Sequence, residues 1–209
     1  DKETVKQSVQ DNLIINQTLR DSNSPLTWEK KLKKTNTVFF YNDKKAVQSQ
    51  IYIIVDGEVM NLEERHRSNI FNKYFGGSMS GLVFQEIREF RSLAYSSWAN
   101  YFSPWYDNKP GYFIGFVGCQ GDKTIEAISV FKDITFNMPE KPERIDQIKS
   151  SLIQTINSER PNFRQYPSIV RDWKRMSYFE DPRKKQVNYF KKMSFDDIIR
   201  FQKKNIENK

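Results

Sequence analysis

Apolar residues recur along this chain at two spacings, and each predicts a kind of element. Between residues 3 and 20, Val5, Val9 and Leu13 fall four apart with Ile14 beside them, the stripe of an amphipathic helix. A polar patch at residues 21–25 separates it from the rest of the chain. Residues 37–41 (TVFFY) and 47–55 (VQSQIYIIV) read as strands joined by the turn-forming Asn42, Asp43, Lys44 and Lys45. In the second run Val47, Ser49, Ile51, Ile53 and Val55 alternate with Gln48, Gln50 and Tyr52, as in a half-covered strand. A helix is expected from about Leu62 to Phe75, stopped by Gly76 and Gly77 through the positive φ that glycine tolerates. Ser78 or Ser80 then caps a second helix. There Val83, Ile87 and Phe90 share a buried stripe, with Glu86, Arg88 and Glu89 beside or opposite it.

The pattern then returns to period two. AYSSWANYF (94–102) and GYFIGFVGC (111–119) predict two more strands around a Pro- and Gly-containing hairpin loop. A helix opening at Asp122 or Thr124 buries Ile125, Ile128, Phe131 and Ile134, and Pro139 and Pro142 break it. A longer helix carries Ile145, Ile148, Leu152 and Ile156. The remainder is helical in pieces, with breaks near Pro161, Pro167 and Pro182 and a last helix capped by Ser194, Phe195, Asp196 and Asp197. The fold class is α+β: a two-layer sandwich of a mainly antiparallel sheet with helices on one face. Residues 1–30 read as a linker or N-terminal helix and residues 31–209 as one domain.

Composition narrows the setting. The 209 residues suffice for one domain with a real core, and sixteen Phe, ten Tyr and four Trp compensate for a hydrophobic share of 37%. No run of about eighteen apolar residues occurs, so no membrane span is expected. The first residues lack an apolar signal core, and a start inside a longer polypeptide or after a removed leader is expected. Cys119 is the only cysteine, which leaves no internal disulfide and suggests an inert buried thiol. The net charge is +8, with twelve Lys and Arg against six Asp and Glu from Arg171 to Lys209. A basic tail invites a nucleic-acid reading. The cations are interleaved with Ile198, Ile199 and Phe201, and no helix-turn-helix, zinc finger or RNA-recognition signature accompanies them. Solvated helical faces are the expectation, with a basic lining that attracts acidic peptides as the alternative.

A nucleophilic enzyme needs a base with an orienting acid, and the single histidine, His66, stands in a chain without a G-x-S-x-G elbow. His66 shares a helical face with Leu62 and Ile70 and reads as a half-buried, hydrogen-bonded residue. No phosphate-loop pattern surrounds Gly76 and Gly77. On the residues alone, Arg88 is an ion-pair partner of Glu86 or Glu89, and Tyr95 a core tyrosine.

The segment 74–95, YFGGSMSGLVFQEIREFRSLAY, resembles the later, non-metal-binding domains of the pitrilysin/insulinase-like zinc peptidases. A glycine turn, then F-Q-E-I-R-E, then L-A-Y-S carries the resemblance, which is sharpest from Asn69 to Ser97 and extends loosely from Val38 to Asn205. It implies the pitrilysin-like metallohydrolase fold and a catalytically silent C-terminal half or subunit of a zinc metalloendopeptidase that closes a peptide chamber. Arg88 and Tyr95 match, by type and spacing, an arginine and tyrosine that reach the substrate in that family. No catalytic residue lies in this chain on that reading. The H-x-x-E-H motif is missing, its nearest text being Leu62-Glu63-Glu64-Arg65-His66, so no metal is expected here. Zinc is expected in the partner half, a zinc-bearing domain or subunit of the same family, with a peptide as substrate, no nucleic acid, and a bacterial periplasmic setting ahead of a cytoplasmic one. A scaffold or peptide-binding member without any zinc-bearing partner is the alternative.

Overall fold

A computed structural model describes residues 1–12, 35–104 and 109–209. They belong to two units, Asp1–Phe40 and Tyr41–Lys209. In the first, α1 runs from Lys2 to Asn12 with Val5 and Val9 exposed. Leu13, Ile14 and the polar patch at 21–25 lie outside the described residues.

The second unit is built on β1 (Gln48–Val59), β2 (Ala94–Phe102) and β3 (Pro110–Gln120), ordered β1-β3-β2 with both pairings antiparallel. α2 (Leu62–Phe75) lies in the connection from β1 to β2, so β1 and β2 flank β3 and run parallel to one another. The period-two alternation decides what each strand buries. Ile51 faces Val117 and Val55 faces Phe113 on the core side, while Tyr52 and Phe116 pair on the other.

Helices α3 (Thr124–Phe136) and α7 (Phe195–Gln202) and a terminal π-helix, Lys203–Glu207, close the core side together with α2; α4 (Ile145–Ser158) and α6 (Arg183–Lys192) pack against α2, and α5 (Tyr166–Arg175) buries no residue. Phe71 stacks on Phe75 at 5.2 Å, and both meet Phe113 edge-on, at 6.5 and 5.7 Å. Phe201 lies 4.9 Å from Tyr101 and 5.4 Å from Phe71. Phe131 of α3 sits on Gly115, where a Cβ would come within 2.3 Å of its ring. Burying each such aromatic side chain contributes about 1.5–3 kcal/mol. α2, α3 and α7 thus cover one face of an antiparallel sheet, the expected two-layer α+β arrangement. Asp197 closes the cap of α7 by accepting from the Ser194 N–H at 2.9 Å.

Several expectations need correction. Residues 37–41 form no strand: Val38, Phe39, Phe40 and Tyr41 are exposed and belong to no ladder, although the turn after them forms, with Ala46 N–H donating to the Asp43 carbonyl at 3.1 Å. High β propensity without a ladder does not make a strand. On α3 the buried stripe is Ala127, Phe131 and Ile134, while Ile125 and Ile128 are exposed. The slot at Gly115 sets the rotation of that helix, because it takes the ring of Phe131. Pro167 starts α5 from within its first turn instead of breaking a helix, since that position has no N–H to lose.

Candidate functional site

The chain around residues 74–95 departs from the regular helix that its pattern suggests. After α2, Gly76 has φ of −109°, and no glycine among the described residues takes positive φ. What Gly76 supplies is closeness: a Cβ there would stand 1.7 Å from the Ala99 carbonyl oxygen, so α2 ends directly against β2. At Gly77 a Cβ would meet the Lys73 backbone at 2.8 Å. Asn72 fastens the same junction, donating to the Tyr101 carbonyl at 2.9 Å and accepting from its N–H at 2.7 Å.

A 3-10 turn at Ser78–Ser80 follows, and then a π-helix from Phe84 to Glu89. The residue before the π-helix is Val83, whose side chain makes no capping hydrogen bond. The Phe90 N–H donates to the Gln85 carbonyl at 2.9 Å, an i to i+5 bond. The wider turn keeps Val83 and Ile87 buried and carries Phe90 off their stripe into solvent, where Lys141 Nζ stands 5.6 Å from its ring. Ser92, with φ of 49°, makes the sharp turn into β2.

Tyr95 owes its position to an irregularity in β2. Its parity is that of Ala99 and Tyr101, which face the core, so an unbroken strand would bury it. The register shifts between Ala94 and Ser96: Ala94 pairs with Cys119 and Ser96 with Gly118. This bulge leaves Ala94 in the core and turns Tyr95 out, 81% exposed. The core reading of Tyr95 is therefore overturned.

The π-helix and the bulge bring Arg88 and Tyr95 together. The Arg88 guanidinium lies 5.4 Å from the Tyr95 ring centroid and 4.9 Å from that of Phe84, and it forms a long ion pair with Glu89, at 3.9 Å. Glu86 is engaged elsewhere, with Arg91 at 2.6 Å and Lys141 at 3.0 Å. Burial opposes its ionisation, but hydrogen bonds from Arg91 and Lys141 outweigh that and hold its carboxyl below the usual range. Arg144 donates to the Ser80 carbonyl at 3.2 Å and to the Gln85 side chain. These bonds fix the π-helix and leave Arg88 to the aromatic rings, an exposed cation–π contact of about 0.5–1 kcal/mol. Phe84, Ser92 and the bulge are parts of the site that sequence reasoning missed, and no residue pattern marks any of them.

Gly76 and Gly77 do not join this pair. They border a separate cleft of about 310 Å³, lined also by Asn69, Lys73, Asn100 and Ile156. His66 is more buried than expected, 3% exposed against Tyr189 and Phe190, with no hydrogen-bond partner for Nδ1 among the described residues. Burial lowers its pKa to about 4. Among the described residues no three His, Cys, Asp or Glu side chains gather as metal ligands. Leu62 and Arg65 offer no donor suited to zinc, so the residues present do not fit that ion. Cys119 is buried, and burial pushes its thiol pKa up. In the basic C-terminal region many cations are paired: Arg183 with Asp181 at 2.6 Å, Arg200 with Asp197 at 2.9 Å, Lys204 with Glu64 at 3.4 Å and Lys209 with Glu58.

Comparison with known proteins agrees with this anatomy. The chain is 31% identical over 90 residues to an uncharacterized zinc protease of Streptomyces coelicolor, a match covering 43% of this chain and 19% of that protein. Its fold is similar to that of a protease from Helicobacter pylori, with a TM-score of 0.71 at 11% identity, over 98% of this chain and 50% of the other. The periplasmic protease PqqL from Escherichia coli gives a TM-score of 0.67 at 16% identity, over 98% of this chain and 23% of the other. The chain therefore spans half or less of the length of these relatives. Residues 12–157, well over half of the chain, match the family described as the peptidase M16 inactive domain, and the chain belongs to that family.

Proposed function

We propose that this domain, running from residue 31 to 209, is the catalytically silent half of a zinc metalloendopeptidase, closing its peptide chamber and holding substrate with Arg88 and Tyr95. The observation that supports this reading is the bulge at Ala94–Ser96, which exposes Tyr95 against its strand parity and sets it beside the Arg88 guanidinium. Zinc, in the partner half, supplies the activated water that such hydrolysis requires. The residues of this chain contribute hydrogen-bond donors: the guanidinium N–H groups and the phenol O–H reach peptide carbonyls or the oxyanion that develops from one. Donors on one half act only when the halves approach, so closure is part of the mechanism.

With the zinc-bearing half present, Arg88→Ala and Tyr95→Phe should each lower peptide turnover by about 10²-fold, the common cost of one oxyanion-type donor. Stability should hardly change, because an exposed arginine contributes only about 0–1 kcal/mol through surface pairing. Unchanged turnover with a large fall in melting temperature would return both residues to structural duty.

A further inference from the structure

The π-helix at Phe84–Glu89 is closed by the Phe90 N–H, which bonds the Gln85 carbonyl. In an α-helix that N–H would bond the carbonyl one residue later, on Glu86. The Glu86 carbonyl is already occupied. Arg91 Nη1 donates to it at 2.8 Å and, from the same nitrogen, to Glu86 Oε2 at 2.6 Å. Arg91 thus sits on the acceptor that the α register needs, and the Glu86 carboxylate keeps it there. The other carboxylate oxygen, Oε1, accepts from Lys141 Nζ at 3.0 Å. The Glu86 side chain is only 13% exposed, so these charge-assisted bonds are weakly screened by water.

Lys141 is itself held, in the connection between α3 and α4. Its backbone N–H donates to the hydroxyl of buried Tyr74 at 3.0 Å, and that hydroxyl donates to the Pro139 carbonyl at 2.5 Å. The connection therefore grips the end of α2 and the π-helix together. By contrast, the Arg88 guanidinium has only the Phe84 and Tyr95 rings and the long pair with Glu89 to place it among the described residues. Its direction is set by the register of the turn on which it stands. A π turn is rare and frequently accompanies a functional site. We propose that Glu86 is a positioning residue: its carboxylate, held by Lys141, keeps Arg91 on the Glu86 carbonyl, locks the π register and so aims Arg88. The inference rests on the reading that Arg88 touches substrate. Without the carboxylate Arg91 is released, the Phe90 N–H moves to the carbonyl at position 86, and the segment rewinds as an α-helix. That rotation swings Arg88 away from Tyr95 and returns Phe90 to the stripe of Val83 and Ile87.

Kinetics and crystal structures of the complete peptidase, with its zinc-bearing half, test the proposal. Glu86→Ala should lower turnover by about tenfold with KM nearly unchanged, because a displaced donor is missed chiefly in the transition state. In an Arg88→Ala background the same change should cost nothing more, since residues that act through one group are not additive. Lys141→Ala should share the loss, and Lys141→Arg, which keeps a donor for Oε1, should restore most of it. The crystal structure of Glu86→Ala should show the Phe90 N–H on the carbonyl at position 86 and Arg88 off the Tyr95 ring. Glu86→Gln keeps the shape and one acceptor oxygen, and it carries the same tests if Glu86→Ala does not fold. An unchanged π turn in the variant, or losses from Glu86→Ala and Arg88→Ala that multiply, would overturn the proposal. Full turnover by Arg88→Ala alone would instead remove Arg88 as a substrate contact and with it any catalytic part for Glu86, while the crystal structure would still decide whether Glu86 locks the turn.

Discussion

His66 is accepted by this fold as a neutral imidazole. Tyr189 lies 4.6 Å from its ring and Phe190 6.0 Å, and this burial, without a partner for Nδ1 among the described residues, opposes the cationic form. Its folded pKa of about 4 lies below the ordinary 6.5. A depressed histidine pKa means that the unfolded chain binds the proton more tightly. The stability contributed by neutral His66 is thus complete above pH 6.5 and is lost as the pH falls towards 4. A tenfold change in proton affinity is worth about 1.4 kcal/mol, so the loss over that window is about 3 kcal/mol. Urea unfolding at pH 7 and pH 4.5 should show a steeper fall for the wild-type chain than for His66→Leu. Parallel pH profiles of the two would remove His66 as the cause. The helical spacing placed His66 on a packed face, but its depth could not be read there, because it depends on α6 and residues more than a hundred positions away.

Where α2 meets β2, a single missing side chain decides the packing. Gly76 has backbone angles open to any residue, so Gly76→Ala brings no conformational strain, but its Cβ would stand 1.7 Å from the Ala99 carbonyl oxygen and 2.6 Å from its carbon. A rigid backbone cannot step aside as a side chain can, and overpacking of this kind costs about 1–3 kcal/mol or more. Gly121→Ala, with nothing within 4 Å, should stay within about 0.5 kcal/mol of wild type. Chemical denaturation of both variants checks the contrast, and equal costs would dissolve the explanation. The contrast also shows what was legible. α2, β2 and β3 follow the apolar periods to within a residue, because burial on one face imposes 3.6 or 2 on the sequence. The π-helix and the bulge were not legible: each inserts a residue into a regular repeat, an event of backbone hydrogen bonding that leaves the apolar period nearly intact. The run 37–41 failed for the opposite reason, its strand-like composition lacking a ladder to join. The pairing of Arg88 with Tyr95 depended on both irregularities, so type and spacing named the residues while only the folded backbone brought them together.

For the molecule as a whole, the donor set decides what the chain can do by itself. A catalytic zinc takes about three protein ligands and keeps a position open for water. At the place of the H-x-x-E-H text this chain has Leu62 and Arg65, and Arg65 Nη1 is committed to the Pro104 carbonyl at 2.7 Å. His66, the remaining candidate, is walled in by aromatic rings and belongs to no group of three ligand-type side chains among the described residues. Glu64, the nearest carboxylate in sequence, is paired with Arg67 at 2.9 Å and Lys204 at 3.4 Å. Binding zinc here would mean breaking those pairs and opening the packing of α2 against α6 for a single imidazole. The chain purified alone should therefore hold no stoichiometric zinc and cleave no peptide, while peptide cleavage should appear when the zinc-bearing half is supplied. Elemental analysis that finds about one zinc per chain, lost on His66→Ala together with peptidase activity, would place a catalytic centre in this domain and reverse the assignment of roles between the two halves.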